Sequence, residues 1–303
     1  MLNLASSFRF YAKKIPGVKP LYYRLQSLLD DGRETLDIMR LRTAATKNPC
    51  TGLKLPVIVS LTSFPARIKH AWIPIETMIQ QDHPPSKVVL VLSEEEFPSK
   101  TLPSTIRQQE KRGLEILWTK RNIRSYKKLL PTRMKYPDAN IVTIDDDIFY
   151  EPWRLSQLMK AASDRPGAII GHRGWEIVIN NGQLTPYVQW PAAAQTTNTG
   201  RIFLTSGGGT LYPPNPLLLD LLLDIDLAQR LCPTGDDIWF WAVAFKAGIP
   251  MYCLGNNGLR NIRRLRGSPT LMKTNLFHGK NDEQLNAVIN YFELWERLSD
   301  SCH

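Results

Sequence analysis

The stretch that decides the reading of this sequence is IVTIDDDIFY, residues 141–150. Four residues suited to a strand (Ile141, Val142, Thr143, Ile144) run into three carboxylates, Asp145, Asp146 and Asp147, and apolar residues then resume at Ile148 and Phe149. Adjacent carboxylates repel, and burying them unpaired is costly. A divalent cation removes the conflict, because Mg2+ and Mn2+ favour carboxylate oxygens and share them with a substrate's phosphates. On an extended segment the side chains at i and i+2 share a face. Asp145 and Asp147 are therefore expected to point together, one to a ribose hydroxyl and the other to the metal, with Asp146 directed elsewhere. A solvated acidic loop, or a helix N-terminus attracting carboxylates, is the plainer explanation of three acids. Their place after a buried strand favours the metal.

Upstream, PVIVSLTSF (56–64), KVVLVLS (87–93) and LEILWT (114–119) read as strands. Residues 69–81, 101–112 and 125–136 between them have helical spacing. This alternation predicts an α/β fold with a doubly wound, mostly parallel sheet flanked by helices. In such sheets ligands bind beyond the carboxyl ends of the strands, where Asp145–Asp147 sit. Downstream, 153–163, 215–231, 236–248 and 282–298 read as helices. Residues 168–182 read as strand material with a turn at Asn180-Asn181-Gly182, 203–214 as a strand broken by glycines, and 251–255 as a short strand. The expected organisation is a basic helical extension over 1–54, one α/β domain over 55–281 and a C-terminal helix over 282–303.

The chain has 303 residues, 43% of them apolar, and a net charge of +10. That length allows one large domain or two small ones. Four scattered cysteines with no CxxC pair indicate neither a zinc ribbon nor a disulfide framework. No apolar run approaches the roughly 20 residues that span a bilayer, and the N-terminus has no apolar core of signal-peptide length. A cytosolic protein with reduced thiols is expected. Residues 1–50 hold nine Lys/Arg against four Asp/Glu, interleaved with Phe8, Phe10, Tyr11, Tyr22 and Tyr23. Such a segment suits the inner, anionic face of a membrane, or an ordinary solvated helix equally well. Charge alone also permits nucleic acid, but no nucleic-acid-binding signature accompanies it.

A second acidic pair, Asp236-Asp237, precedes the aromatic-rich run IWFWAVAF. Either residue suits a helix N-cap. Facing a cleft, either could take a proton from a hydroxyl nucleophile. The run Gly207-Gly208-Gly209 after Ser206 lets backbone approach a ligand closely, as a wall of an acceptor pocket or simply as a tight turn. Its spacing fits neither a dinucleotide fingerprint nor a P-loop. NLFHGKND (275–282) adds His278, and Lys280, which could contact phosphate or face water. The basic run from Arg260 to Arg266 suits a loop closing over a diphosphate, or a solvated face.

Taken in order, the strand with DDD (141–147), the glycine-rich segment (205–210), GDDIW (235–239) and FHGK (277–280) resemble the GT-A nucleotide-sugar glycosyltransferases. Their order is similar to that of the inverting beta-1,3-galactosyltransferase and fringe-like branch. VSLTSFPARI (59–68) and SYKKLLPTRMKYPDANIVTIDDD (125–147) also look like bacterial polysaccharide glycosyltransferases. The resemblance implies a UDP-sugar or other nucleoside diphosphate sugar donor, with Mn2+ or Mg2+ held by Asp145, Asp147 and His278. Asp237 would be the catalytic base with Asp236 as alternate. Leu61, Thr62 and Arg67 would line the nucleotide pocket, with Lys127 or Lys128, Asp146 and Lys280 nearby. Gly207–Gly209 and Trp239 would face the acceptor, a bacterial surface glycan or lipid-linked saccharide. FHGK also resembles the end of some retaining enzymes, so both stereochemical outcomes stay open. The rivals are a sugar nucleotidyltransferase, which carries a glycine-rich basic loop after its first strand, and a non-catalytic glycan-binding module using tryptophans such as Trp175 and Trp190.

Overall fold

The computed structural model describes residues 19–44, 57–193, 201–215, 219–255, 263–265 and 279–300. The chain divides into two compact units, Met1–Thr46 and Lys47–His303. In the first, Lys19–Ala44 forms one helix of 26 residues, with Leu28, Leu36 and Met39 exposed. Among the described residues no helix is long and apolar enough to cross a membrane.

The second unit is a mixed α/β domain around a seven-stranded sheet flanked by helices. Its strands in chain order are β1 (Val57–Thr62), β2 (Lys87–Ser93), β3 (Glu115–Thr119), β4 (Asn140–Thr143), β5 (Ile148–Phe149), β6 (Ile169–Gly171), β7 (Gly174–Glu176), β8 (Ile179–Asn180), β9 (Gln183–Leu184), β10 (Ile202–Leu204), β11 (Thr210–Tyr212), β12 (Met251–Cys253) and β13 (Arg263–Arg264). The main sheet runs β12-β6-β11-β4-β1-β2-β3. The β1–β2, β2–β3, β1–β4 and β6–β12 pairs are parallel, and β11 is antiparallel to both its neighbours. The expected doubly wound, mostly parallel sheet is therefore present. β1, β2 and β4 are apolar runs, buried almost throughout, as parallel strands covered on both faces should be.

Two features of this topology build the site. From β1 the chain winds outward through β2 to β3, then returns to set β4 on the opposite side of β1. The gap between the carboxyl ends of β1 and β4 is thus a topological switch point, where open α/β sheets bind their ligands. In addition, β11 starts beside the end of β4, with Thr210 opposite Thr143. The glycine turn just before β11 therefore lies at the same end of the sheet as Asp145.

Several elements depart from the sequence expectation. Residues 203–214 are two strands in different sheets, joined by a 3-10 turn at Ser206–Gly208. Residues 215–231 hold two helices, Leu219–Leu223 and Ile225–Leu231, because the Asp224 side chain caps the second by accepting from the Leu227 N–H. Residues 125–136 begin as a 3-10 helix, Arg124–Lys128, before the helix Leu130–Lys135. The C-terminal helical stretch is Lys280–Tyr291 followed by Trp295–Asp300. The expected turn before Gly182 is a hairpin joining β8 and β9, with Asn181 and Gly182 both at positive φ.

Candidate active site

A cavity of about 550 Å3 opens at the switch point. Six acidic and six basic side chains line it: Glu96, Asp145, Asp146, Asp147, Asp236 and Asp237 against Arg67, Arg124, Lys127, Lys128, Arg173 and Arg264. Trp175, Tyr187 and Phe203 form an aromatic wall.

Beyond β4 the chain does not stay extended. Asp146 and Asp147 lie in a turn, so strand alternation does not set the directions of their side chains. Asp146 accepts hydrogen bonds from Ser63 Oγ at 2.6 Å and Arg67 Nη1 at 2.7 Å. Asp147 lies 3.3 Å from Arg67 Nη2 and 3.3 Å from Arg264 Nη1. Asp145 accepts from Lys128 Nζ at 3.0 Å. Each of the three carboxylates thus has a protein cation beside it, which supplies much of the neutralisation that the sequence reading assigned to a metal. Asp146, tied to the loop after β1, anchors the turn rather than standing open to a donor.

Burial, the largest single influence, would raise the Asp145 pKa, but the charge and hydrogen bond of Lys128, joined by the charges of Arg264 and Arg173, together hold the group below its ordinary value. Burial pushes Asp146 up despite Arg67 and Ser63. Burial and the Asp145 charge push Asp147 up.

The second acidic pair opens the helix Asp236–Lys246, with Gly235 at the N-cap position and no side-chain cap. Neither aspartate caps the helix. Both sit in its first turn, where the helix dipole favours negative charge. From Ile238 to Phe245 this helix is buried on every side, which fixes its first turn rigidly. Asp236 lies 3.1 Å from Lys128 Nζ, so one buried lysine bridges the two acidic clusters. Burial alone would lower the Lys128 pKa, yet Asp145, Asp236 and Asp237 raise it well above the ordinary value.

Asp237 has no cation of its own among the described residues. Its Oδ1 accepts from Ser206 Oγ at 2.7 Å and from the Ser206 N–H at 3.2 Å. Ser206 Oγ in turn lies 3.2 Å from Thr143 Oγ1. Burial, followed by the Asp236 charge, pushes the Asp237 pKa up to about 7.

The cavity gathers Thr62, Arg67, Lys127, Lys128, Asp145, Asp146, Asp147, Gly207, Asp236 and Asp237. It excludes Leu61, which is fully buried in β1. Trp239 is likewise fully buried, packed against Phe292 in the core, and presents nothing to an acceptor. Lys280 is exposed at the start of its helix and does not line the cavity, although the adjacent Asn281 does. Gly208 and Gly209 stand behind the wall: a Cβ on Gly208 would lie 2.5 Å from Arg173 Cβ, and Gly209 has φ +90. His278 and most of the Arg260–Arg266 run lie outside the described residues. Lys127 is paired with Glu96 and donates to Asn122 Oδ1 at 3.0 Å. Among the described residues no three His, Cys, Asp or Glu side chains form a ready-made metal cluster.

Sequence reasoning missed Ser63 and Arg173 and gave Ser206 no role of its own, while Arg264 fell inside the basic run read as a loop over a diphosphate; the carboxylates that Ser63 and Ser206 hold lie 83 and 31 residues away. The only local signal for Arg173 was its setting between His172 and Gly174. The free thiols of Cys232 and Cys253 are buried.

No protein-family model matches the sequence, and no curated protein matches it. Among solved structures, S. aureus TarS 1–349 in complex with UDP is similar at 14% identity, over 67% of this chain and 59% of that one, with a TM-score of 0.46. A 4-diphosphocytidyl-2C-methyl-D-erythritol synthase is similar at 13% identity over 74% and 99%, with a TM-score of 0.44. A CMP:2-keto-3-deoxy-manno-octonic acid synthetase complexed with CTP is similar at 13% identity over 66% and 89%, with a TM-score of 0.39. At these values the likenesses carry no argument about chemistry, which rests on the cavity alone.

Proposed function

We propose that this cavity binds a nucleoside diphosphate sugar, preferably a UDP-sugar, and transfers the sugar to a hydroxyl of a bacterial surface glycan or lipid-linked saccharide. One observation carries the reading: a clustered acidic turn at the switch point shares its cavity with a carboxylate poised near neutrality. A divalent ion fits the turn. Asp147 Oδ1 is buried and accepts no hydrogen bond, the Asp145 side chain is 25% exposed, and both offer the hard oxygen ligands that Mn2+ and Mg2+ prefer. When bound, the ion supplies positive charge to the departing diphosphate. His278 completes this ligand set only by the resemblance.

The chain's own residues do the rest. Ser63 and Arg67 fix Asp146 and so hold the turn in place. Thr62, Arg67 and Lys127 line the nucleotide side. Lys128 occupies Asp236 and leaves Asp237 as the base. With Oδ1 held by Ser206, Asp237 takes the acceptor's proton as the hydroxyl oxygen bonds to the anomeric carbon and the bond from that carbon to the diphosphate oxygen breaks. Attack in line gives inversion. A positioned base contributes about 10²–10⁴-fold.

The test is a panel of UDP-, GDP- and CMP-sugars with Mn2+ or with EDTA. Metal-dependent donor hydrolysis is the expected result. Metal-blind turnover would remove the ion from the mechanism, and no turnover of any donor would sink the reading. The cations that the cavity leaves without a carboxylate among the described residues, Arg124 and Arg173, also suit a nucleoside triphosphate, which keeps a sugar nucleotidyltransferase as the second reading. Pyrophosphate release from a nucleoside triphosphate and a sugar phosphate would select it. The basic N-terminal segment would hold the enzyme at the inner face of a membrane, and sedimentation with anionic vesicles checks this.

A further inference from the structure

Four of the six cations in the cavity are committed to carboxylates. Arg67 serves Asp146 and Asp147, Arg264 serves Asp147, Lys128 serves Asp145 and Asp236, and Lys127 serves Glu96. Arg124 is exposed at the rim and donates to the Pro233 carbonyl at 3.2 Å. Arg173 differs from all of these. Among the described residues it makes no ion pair, and its Nε is buried without an acceptor. Keeping a partly buried cation unpaired is costly, so a fold that does so needs a reason.

The surroundings of Arg173 are built for it. Its guanidinium stands over the Trp175 ring, 5.5 Å from the centroid, and this stacking restrains the planar group. The glycine run is shaped to it from the other side. A Cβ on Gly208 would fall 2.5 Å from Arg173 Cβ and 3.0 Å from its backbone N. A Cβ on Gly207 would fall 3.3 Å from Arg173 Nη1 and 2.9 Å from Asp145 Oδ2. The Thr205 N–H also donates to the Arg173 carbonyl at 3.0 Å. The glycines therefore let Arg173 stand beside Asp145, facing into the cavity.

We propose that Arg173 is the cavity's phosphate-binding side chain, the cation held ready for the diphosphate of the donor and for the charge that group gains as it leaves. This inference rests on the nucleotide-sugar reading for the identity of the anion, and on the geometry around Arg173 for the residue. A guanidinium is suited to two phosphate oxygens at once, whereas Lys can offer only a point charge.

The experiment is calorimetric titration of the full chain, in the presence of Mn2+, with UDP, uridine and inorganic pyrophosphate, using the wild type, Arg173→Gln, Arg173→Lys and the control Arg121→Gln. Arg121 pairs with Asp226 on the surface and does not line the cavity. UDP and pyrophosphate should bind about 10- to 100-fold more weakly to Arg173→Gln. Uridine should be unaffected, Arg173→Lys intermediate, and Arg121→Gln like wild type. Matching circular dichroism and melting curves show that the variants fold. Equal UDP and pyrophosphate affinity in wild type and Arg173→Gln would overturn the inference and leave the nucleotide-sugar reading standing. Arg173-dependent pyrophosphate binding without affinity for any nucleoside diphosphate would do the reverse. A uniform loss that includes uridine would make Arg173 merely structural, and no binding by the wild type would overturn both. If Arg173→Gln fails to fold, Arg173→Lys decides alone: affinity equal to wild type on UDP overturns the inference.

Discussion

Asp145–Asp147 and Asp236-Asp237 are both runs of adjacent aspartates on the wall of one cavity, and they meet their mutual repulsion in different ways. In the first run every carboxylate has a cation beside it, and Arg67 links the turn back to the loop after β1. In the second, Asp236 shares Lys128 and Asp237 has only the donors of Ser206. The consequence is chemical. Asp145 is held below its ordinary pKa, whereas Asp237 is pushed up to about 7. Identical side chains, one lysine apart, become a cation holder and a base. What separates them is which partner the fold supplies: Lys128 to Asp145 and Ser206 to Asp237.

The contrast can be broken in several places. The largest effect is expected at the unpaired member. Asp237→Asn should cost about 10²–10⁴-fold in turnover with donor binding retained, read by steady-state kinetics with each substrate varied. A loss of less than tenfold would remove Asp237 as the base.

Next is the residue that joins the clusters. Lys128 is nearly buried between two carboxylates. Lys128→Met leaves buried negative charge uncompensated and should cost about 3–5 kcal/mol of stability, measured by urea denaturation. An unchanged midpoint would mean that the bridge is not formed in solution.

The pH dependence sharpens the same comparison. A base must be ionised to act, so kcat/KM should fall about tenfold per unit as pH drops below about 7. The stability effect has the opposite sign. Between the ordinary value of 3.8 and about 7 the folded state keeps a proton on Asp237 that the unfolded state has lost. Stability from this group therefore declines as pH rises through that window. Melting curves at pH 5 and pH 8 should show a larger decline for wild type than for Asp237→Asn, and equal declines would contradict the assignment.

The smallest effect lies outside the cavity, at an acid that is paired several times over. Glu115 accepts from Lys87, Lys135 and Tyr136, which together overcome burial and lower its pKa to about 2. Because that pKa is depressed, the contribution is present above the ordinary value of 4.5 and is lost as pH falls toward 2. Glu115→Gln should cost about 1 kcal/mol at pH 7 and nothing near pH 2, with no change in turnover.

The parallel strands were legible in the sequence because burial on both faces leaves continuous apolar runs, as in VIVSLT and KVVLVLS. The acidic turn was legible because charge interrupts such a run at its carboxyl end. The pairing around it was not. Ser63 and Arg67 reach Asp146 across 83 and 79 residues, and no local pattern records such contacts. The antiparallel β11 was hidden inside a glycine-rich segment that read as one broken strand. Trp239 misled for a related reason: an aromatic residue beside an acidic pair looks like a ligand platform until the helix proves to be buried on every side. Arg173 left almost no trace, since its role lies in the glycines that make room for it.

The central claim is that the Asp145–Asp147 turn holds a divalent ion together with a nucleoside diphosphate. The most direct measurement is calorimetric titration of UDP into the protein with Mn2+ or with EDTA, repeated for Asp147→Asn, which can still pair with Arg67 and Arg264 but gives up a charged ligand. Strong heat in wild type with Mn2+, lost with EDTA and in Asp147→Asn, is the predicted result. UDP binding that is indifferent to the ion and to Asp147, or no UDP binding at all, would contradict it.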